Sequence, residues 1–220
     1  MNKSKQSSGS RGADAKEPAG WQAQKSASTR QQILEAALGC FVDVGYAGTT
    51  TTLIAERAGL SRGAMLHHFP SKIDIVRAAV EYLHAKRLKA FQKSIERVPL
   101  GDDRSRKALD LCLDHVRHPM YVAFLELWMA ARTDPKLHSI LLPTQQAFEH
   151  EWHRMAIALW PEWRESPANL AVALDLMRYV MDGLAVRFVT HGTREQEMRT
   201  IDFLDQQIRA LSKASLSHQR

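Results

Sequence analysis

Arg62, Gly63, Ala64, His67 and His68 fall in one short run, with Thr49 and Thr50 upstream and Lys72 just downstream. Each residue type has a use against a nucleic acid. A guanidinium matches the guanine edge bidentately, which discriminates between bases by about 1–3 kcal/mol, so Arg62 is the candidate base reader. Gly63 and Ala64 let a helix come close, and Ala64 can meet a thymine methyl. The hydroxyls of Thr49 and Thr50 can bond phosphate oxygens. Lys72, at a helix start, can hold a phosphate electrostatically. His67 and His68 are adjacent and so point in different directions; one of them is expected to face phosphate. Neighbouring histidines do not chelate from one helix face, so no metal is expected, and no cofactor.

These side chains need two short helices to position them. The first carries Leu53, Ile54, Arg57 and Ala58 and ends at Gly59, the residue type that tolerates the left-handed conformation past a helix end. Ser61 can cap the next helix, predicted from about Arg62 to Phe69. Pro70 stops it, because proline lacks the N–H and clashes with the preceding turn. Met65 and Phe69 are one turn apart and predicted to face the core. Helix, glycine-containing turn and short helix make a helix-turn-helix, which lays its second helix in the major groove. A plain helical hairpin inside a core would not carry Arg62, Gly63, His67 and His68 on so short a helix.

Gly45-Tyr46, Thr49-Thr50, Ile54-Ala55, Ala58-Gly59-Leu60-Ser61, Gly63, His68-Phe69 and Lys72 occur in an order and spacing that resembles the TetR family of transcriptional regulators. The resemblance covers about Thr29 to Val76. Leu66 stands where that family usually carries a tyrosine that touches the DNA backbone. The resemblance implies a repressor that a ligand releases from its operator.

Charge is uneven along the chain. The first hundred residues hold 15 basic and 8 acidic side chains, the remainder 15 and 16, within a formal net charge of +6. A positive field at one end suits phosphate attraction, although basic runs are often only solvated faces. The polar segment 1–27 is expected to be disordered. Its Lys3, Lys5, Arg11, Lys16 and Lys25 suit either a basic arm tracking phosphates or a solubilising tail. No apolar run approaches the roughly 20 residues that span a bilayer, and the N-terminus has no apolar stretch of a secretory signal. No membrane partner is expected, and Cys40 and Cys112 read as buried thiols of a cytoplasmic protein.

The rest of the chain keeps helical periodicity and shows no alternating strand pattern. A first helix is expected from Ser28 or Thr29 to about Val44, closing a helix-turn-helix domain over 28–75. A connector over 76–98, part of a long helix from Ile73, leads into a regulatory and dimerisation domain that ends near residue 213, with a fraying tail at 214–220. The fold class is all-α with about nine helices. Tyr121 to Thr133 is apolar all round and should be central. Pro143 is expected to kink or interrupt its helix. Leu170, Leu174, Met177, Met181 and Leu184 share one face of a later helix, while Val172, Leu176 and Tyr179 lie elsewhere on it. A helix apolar on two faces needs two partners, and a second copy is the simplest cover; a dimer also suits a palindromic duplex operator.

A pocket between helices is the default ligand site. Candidate linings are Tyr121, Phe124, Leu125 and Trp128, then Met129, Trp152, Met155 and Met177, for an unidentified small-molecule effector; the same stripes also suit plain core. Glu126, which interrupts an apolar run, is expected to pair with Arg132 or another base. No catalytic constellation or phosphate-binding glycine loop appears, so no enzyme is expected. The alternative to a ligand-released regulator is a constitutive DNA-binding protein whose second domain only dimerises.

Overall fold

The computed structural model describes residues 19–99 and 101–217. Among them, nine α-helices follow one another with no strand: α1 (Ala19–Gly48), α2 (Thr51–Arg57), α3 (Arg62–His68), α4 (Lys72–Ile95), α5 (Asp102–Val116), α6 (Pro119–Ala131), α7 (Pro135–Leu159), α8 (Pro167–Val189) and α9 (Arg194–Ser217). A single 3-10 turn, Pro161–Glu165, separates α7 from α8.

Local chemistry sets most of these boundaries. Thr50, Ser61 and Ser71 each accept a backbone N–H from the first turn of the helix they precede, which satisfies donors that the helix itself cannot. Pro119, Pro135 and Pro167 open their helices where a missing N–H costs nothing. Gly59 follows α2 at φ +65°. Its N–H reaches the Glu56 carbonyl, and that of Leu60 reaches back to Ala55. This pair of bonds closes the helix end and turns the chain into α3.

Two boundaries differ from the sequence expectation. Helix α1 begins at Ala19, so residues 19–27 are helical and not a disordered tail; residues 1–18 lie outside the described residues. Extending a helix already nucleated by its buried part needs no new nucleus. Lys25 lies 4.7 Å from the Trp21 ring centre and accepts, through its carbonyl, the Thr29 hydroxyl. Helix α9 runs on to Ser217, so the expected tail after residue 213 is still helical over 214–217. Of the kink or interruption expected at Pro143, the interruption does not occur, since α7 continues through it. Gly45 does break α1, at φ 69°, ψ 174°.

One core joins α1 to α4 with α6: Ile33, Phe41, Ile54, Met65, Phe69 and Val76 are sealed there together with Ala123, Phe124 and Leu127. A second core packs α5, α8 and α9 around Leu109, Met181 and Ile201. Helix α6 therefore belongs to both halves, since Tyr121 sits in the second core. Cys40 and Cys112 are both free and buried.

Candidate nucleic-acid interface and ligand chamber

Helix α3 has two unlike sides. Met65 is fully enclosed, and Phe69 just beyond the helix is 2% exposed. Arg62, Gly63, Ala64 and His67 are all exposed, and His68 is half-buried. A side chain added at Gly63 would meet nothing within 4 Å, so that position faces open space. Two long-range bonds hold the helix pair against α1. Gln32 donates to the Ala58 carbonyl at 2.7 Å, and Arg30 donates to the His68 carbonyl at 2.8 Å. Arg30 also lies over the Phe69 ring at 4.2 Å. Leu66 is half-buried against the core.

Thr49, Thr50 and Lys72 divide differently from expectation. Thr50 is exposed and caps α2, its hydroxyl accepting the Leu53 N–H at 3.1 Å. Thr49 is 1% exposed, and its hydroxyl donates to the Gly45 carbonyl at 2.7 Å. It is enclosed and unavailable to a phosphate. The Lys72 ammonium is also engaged within the chain: it donates to the Tyr46 carbonyl at 2.5 Å and sits 4.0 Å from the Tyr46 ring centre. Burial lowers its pKa, against an opposing pull from Asp134. The neighbouring residue types were legible in sequence; the return of the chain at Gly45 that consumes Thr49 and Lys72 was not.

Glu126 is the side chain that sequence reasoning placed wrongly. It does not pair with Arg132. Its Oε1 accepts the Tyr46 N–H at 2.8 Å. A Cβ at Gly45 would come within 2.5 Å of the same oxygen and displace the Glu126 carboxylate, while φ 69° itself favours glycine there. Helix α6 is thus latched to the turn that leads into the helix-turn-helix.

Behind α6 lies a chamber of about 630 Å3, walled by α4 to α8. Tyr121, Phe124, Leu125, Trp128, Met129, Trp152 and Met177 all line it. Met155 does not; it lines a neighbouring cavity of about 590 Å3 that shares Trp152 and Met177. Met129 stands at the rim, 68% exposed. Sequence reasoning named several of the apolar walls and missed the polar ones, among them Arg87, His115, Gln145 and Asp182. The Tyr121 hydroxyl donates to Asp182 at 2.5 Å. Burial, with the Asp182 charge second, pushes that hydroxyl's pKa beyond its ordinary range. Arg178 bridges Glu149 and Asp175. Burial pushes the Cys112 thiol up to about 12. Arg87 and Asp182 were hard to find because their helices were read for apolar faces, and a lone charge on such a helix reads as surface. Among the described residues no group of His, Cys, Asp and Glu is arranged to hold a metal, and no helix is long and apolar enough to cross a membrane.

Comparison with known proteins meets the same architecture. Residues 33–79 match the family described as bacterial regulatory proteins, tetR family. A helix-turn-helix-type transcriptional regulator of Mycobacterium tuberculosis is 29% identical over 165 residues, 75% of this chain and 85% of that one. The transcriptional repressor AcnR of Corynebacterium diphtheriae is 25% identical over 182 residues, 82% and 92% of the two chains. The crystal structure of a TetR-family regulator from Rhodococcus sp. superposes with a TM-score of 0.67 at 22% identity, covering 84% of this chain and 99% of that one. An exposed, serine-capped α3 set on a sealed core, joined to a helical second half, accords with each of these, and over residues 33–79 the chain is similar to the TetR family of transcriptional regulators.

Proposed function

We propose that this protein is a homodimeric repressor that reads a palindromic duplex through α3 and is released by a small-molecule effector held behind α6. The observation that carries the reading is the two-sidedness of α3: Met65 and Phe69 fix it to the core while Arg62, Gly63, Ala64 and His67 stand clear. Arg62 reads a base edge, and Thr50 and His67 bind phosphates. His68, half-buried, takes a phosphate only with its exposed edge. The functional units are a DNA-binding domain over 28–75 and a regulatory and dimerisation domain over 76–213. The repressor naming of AcnR supports the direction of control.

Two helices supply the transmission. Helix α4 begins at Lys72, under the turn at Tyr46, and carries Arg87 into the chamber. Helix α6 carries Tyr121, Phe124 and Trp128 into the chamber and Glu126 to the same turn. An effector that favours a shifted α6 therefore moves the seat of the helix-turn-helix. It acts only to the extent that it binds the shifted state more tightly than the DNA-bound one.

The second copy covers α8. Val172, Leu176, Tyr179 and Val186 are 39–65% exposed and, with exposed Gly183, recur at steps of four and three. That is a seam for another helix, unlike a solvated face. The twin reading helices then meet half-sites about 34 Å apart.

The test is selection of bound sequences from random duplexes by the purified full chain. Enrichment of a palindrome with half-sites one helical turn apart is expected. Recovery of unenriched random sequence would remove the operator-reading function and leave only charge-driven binding.

A further inference from the structure

We infer that the effector is an anion, a carboxylate on an aromatic or alicyclic body, and that Arg87 is its counter-ion. The inference rests on the effector reading above and names the chemistry of that site. The charged groups lining the chamber are not equally provided for. Arg178 is bridged by both Glu149 and Asp175. Asp182 receives the Tyr121 hydroxyl. Arg87 forms none of the ion pairs found among the described residues. Its guanidinium lies between two rings, 5.2 Å from the centre of Tyr121 and 4.9 Å from that of Phe148.

Aromatic faces accommodate a cation but do not satisfy a planar fork of five N–H donors. A guanidinium withdrawn from water with no carboxylate in direct contact is costly to keep charged, and a planar carboxylate matches that fork bidentately. Burial pulls Arg87 below its ordinary pKa; Tyr121, by charge and by a side-chain hydrogen bond, and then Cys112 and Asp182 oppose this without restoring it. Two buried atoms lack partners at the same chamber: His115 Nε2 and Gln145 Oε1. His115, held neutral with its pKa near 3 by burial and then by the Arg87 charge, adds no competing cation. Tyr121, Phe124, Trp128 and Trp152 offer ring faces and edges to the body of the ligand. The volume, about 630 Å3, is that of a chamber for a drug-sized molecule.

The probes are 2-naphthoate, its neutral isostere 2-naphthamide, and the cation (2-naphthylmethyl)trimethylammonium, each titrated into the full-length protein by calorimetry. The carboxylate is expected to bind about ten- to a hundredfold tighter than the amide, the strength of a charge-assisted hydrogen bond pair. Arg87→Met should erase that preference while leaving amide binding in place. Arg87→Lys, which keeps the charge and loses the fork, should retain a reduced preference. Tighter binding of the cation, an unchanged preference in Arg87→Met, or no carboxylate binding at millimolar concentration overturns the proposal. If Arg87→Met does not fold, the wild-type ranking of the three probes and the Arg87→Lys result decide. A separate arm follows release of the selected duplex. Carboxylate binding without release leaves Arg87 as counter-ion and removes the effector-release reading. Duplex binding by a protein that ignores the carboxylate does the reverse.

Discussion

Arg62 is the residue on which the proposed sequence specificity turns. It is exposed at the first position of α3, beside Gly63 and Ala64, which leave room for a base edge. Arg62→Ala is expected to weaken binding to the selected duplex by about 1–3 kcal/mol and to relax preference at one base pair. Competition assays against single-base variants check this. Equal weakening on random DNA would make Arg62 a phosphate contact instead. How far the residues of this site could be read in sequence depends on what each one touches. Arg62, Met65 and Phe69 were readable because helical period alone separates an outer from an inner face. Thr50 and Ser61 were readable because capping is local. Thr49, Lys72 and Glu126 were not. All three are claimed by the backbone at Gly45 and Tyr46, and two of the three contacts cross many residues of chain. Such closure is set by tertiary packing, which leaves no periodic trace.

The elements α4, α6 and α7 meet around a histidine that illustrates how packing between helices sets chemistry. His84 of α4 is 4% exposed. Its ring lies 5.3 Å from that of Phe124 on α6 and 4.3 Å from that of Phe148 on α7. Burial, then the nearby Arg87 charge, lowers its pKa to about 3; Thr144's backbone opposes this, but neither ring nitrogen meets full hydrogen-bond geometry. His115 on α5 is lowered to about 3 as well. Between pH 6.5 and about 3 the unfolded chain therefore binds protons at both histidines that the folded chain does not. Stability must then fall as pH falls through that window, by up to ~1.4 kcal/mol per pH unit for each histidine. Carboxylates that lose partners in acid add to the same trend, so the histidine share is isolated by a variant. His84→Leu removes a polar ring with unpaired nitrogens and should flatten the slope by about one proton. Urea unfolding of both proteins from pH 7 to pH 4 checks this: the gap between them should widen in favour of the variant as pH falls. Parallel curves would show that His84 titrates normally. The element boundaries themselves were largely legible, because proline and serine mark them locally. The helical stretch over 19–27 was missed because it has no apolar face and is carried by the buried helix that continues it.

At the scale of the whole molecule, the proposed dimer rests on one helix face whose apolar side chains are exposed in the single chain. The inner face of α8 is closed by the chain itself: Leu170, Ala173, Met181, Leu184 and Ala185 are all buried. Its other face presents Val172, Leu176, Tyr179 and Val186 to solvent, with Gly183 open between them. On α9, Phe203 is 62% exposed. A contiguous apolar seam of this kind is stabilised by being covered, at roughly 25 cal/mol per Å2 removed from water, and an isologous contact covers it twice with one set of residues. Leu176→Glu and Tyr179→Glu, made together, place like charges opposite each other across that contact. Sedimentation should then show a species of half the wild-type mass, with the helical content unchanged because neither side chain belongs to the monomer's core. Binding to a single half-site should be retained, since α3 lies in the other half of the chain. Binding to the full palindrome should drop towards the half-site affinity, because the second contact is no longer delivered at high effective concentration. An unchanged mass with full operator affinity would place the dimer contact elsewhere. Loss of half-site binding along with the dimer would show instead that α3 is organised only within the assembled pair.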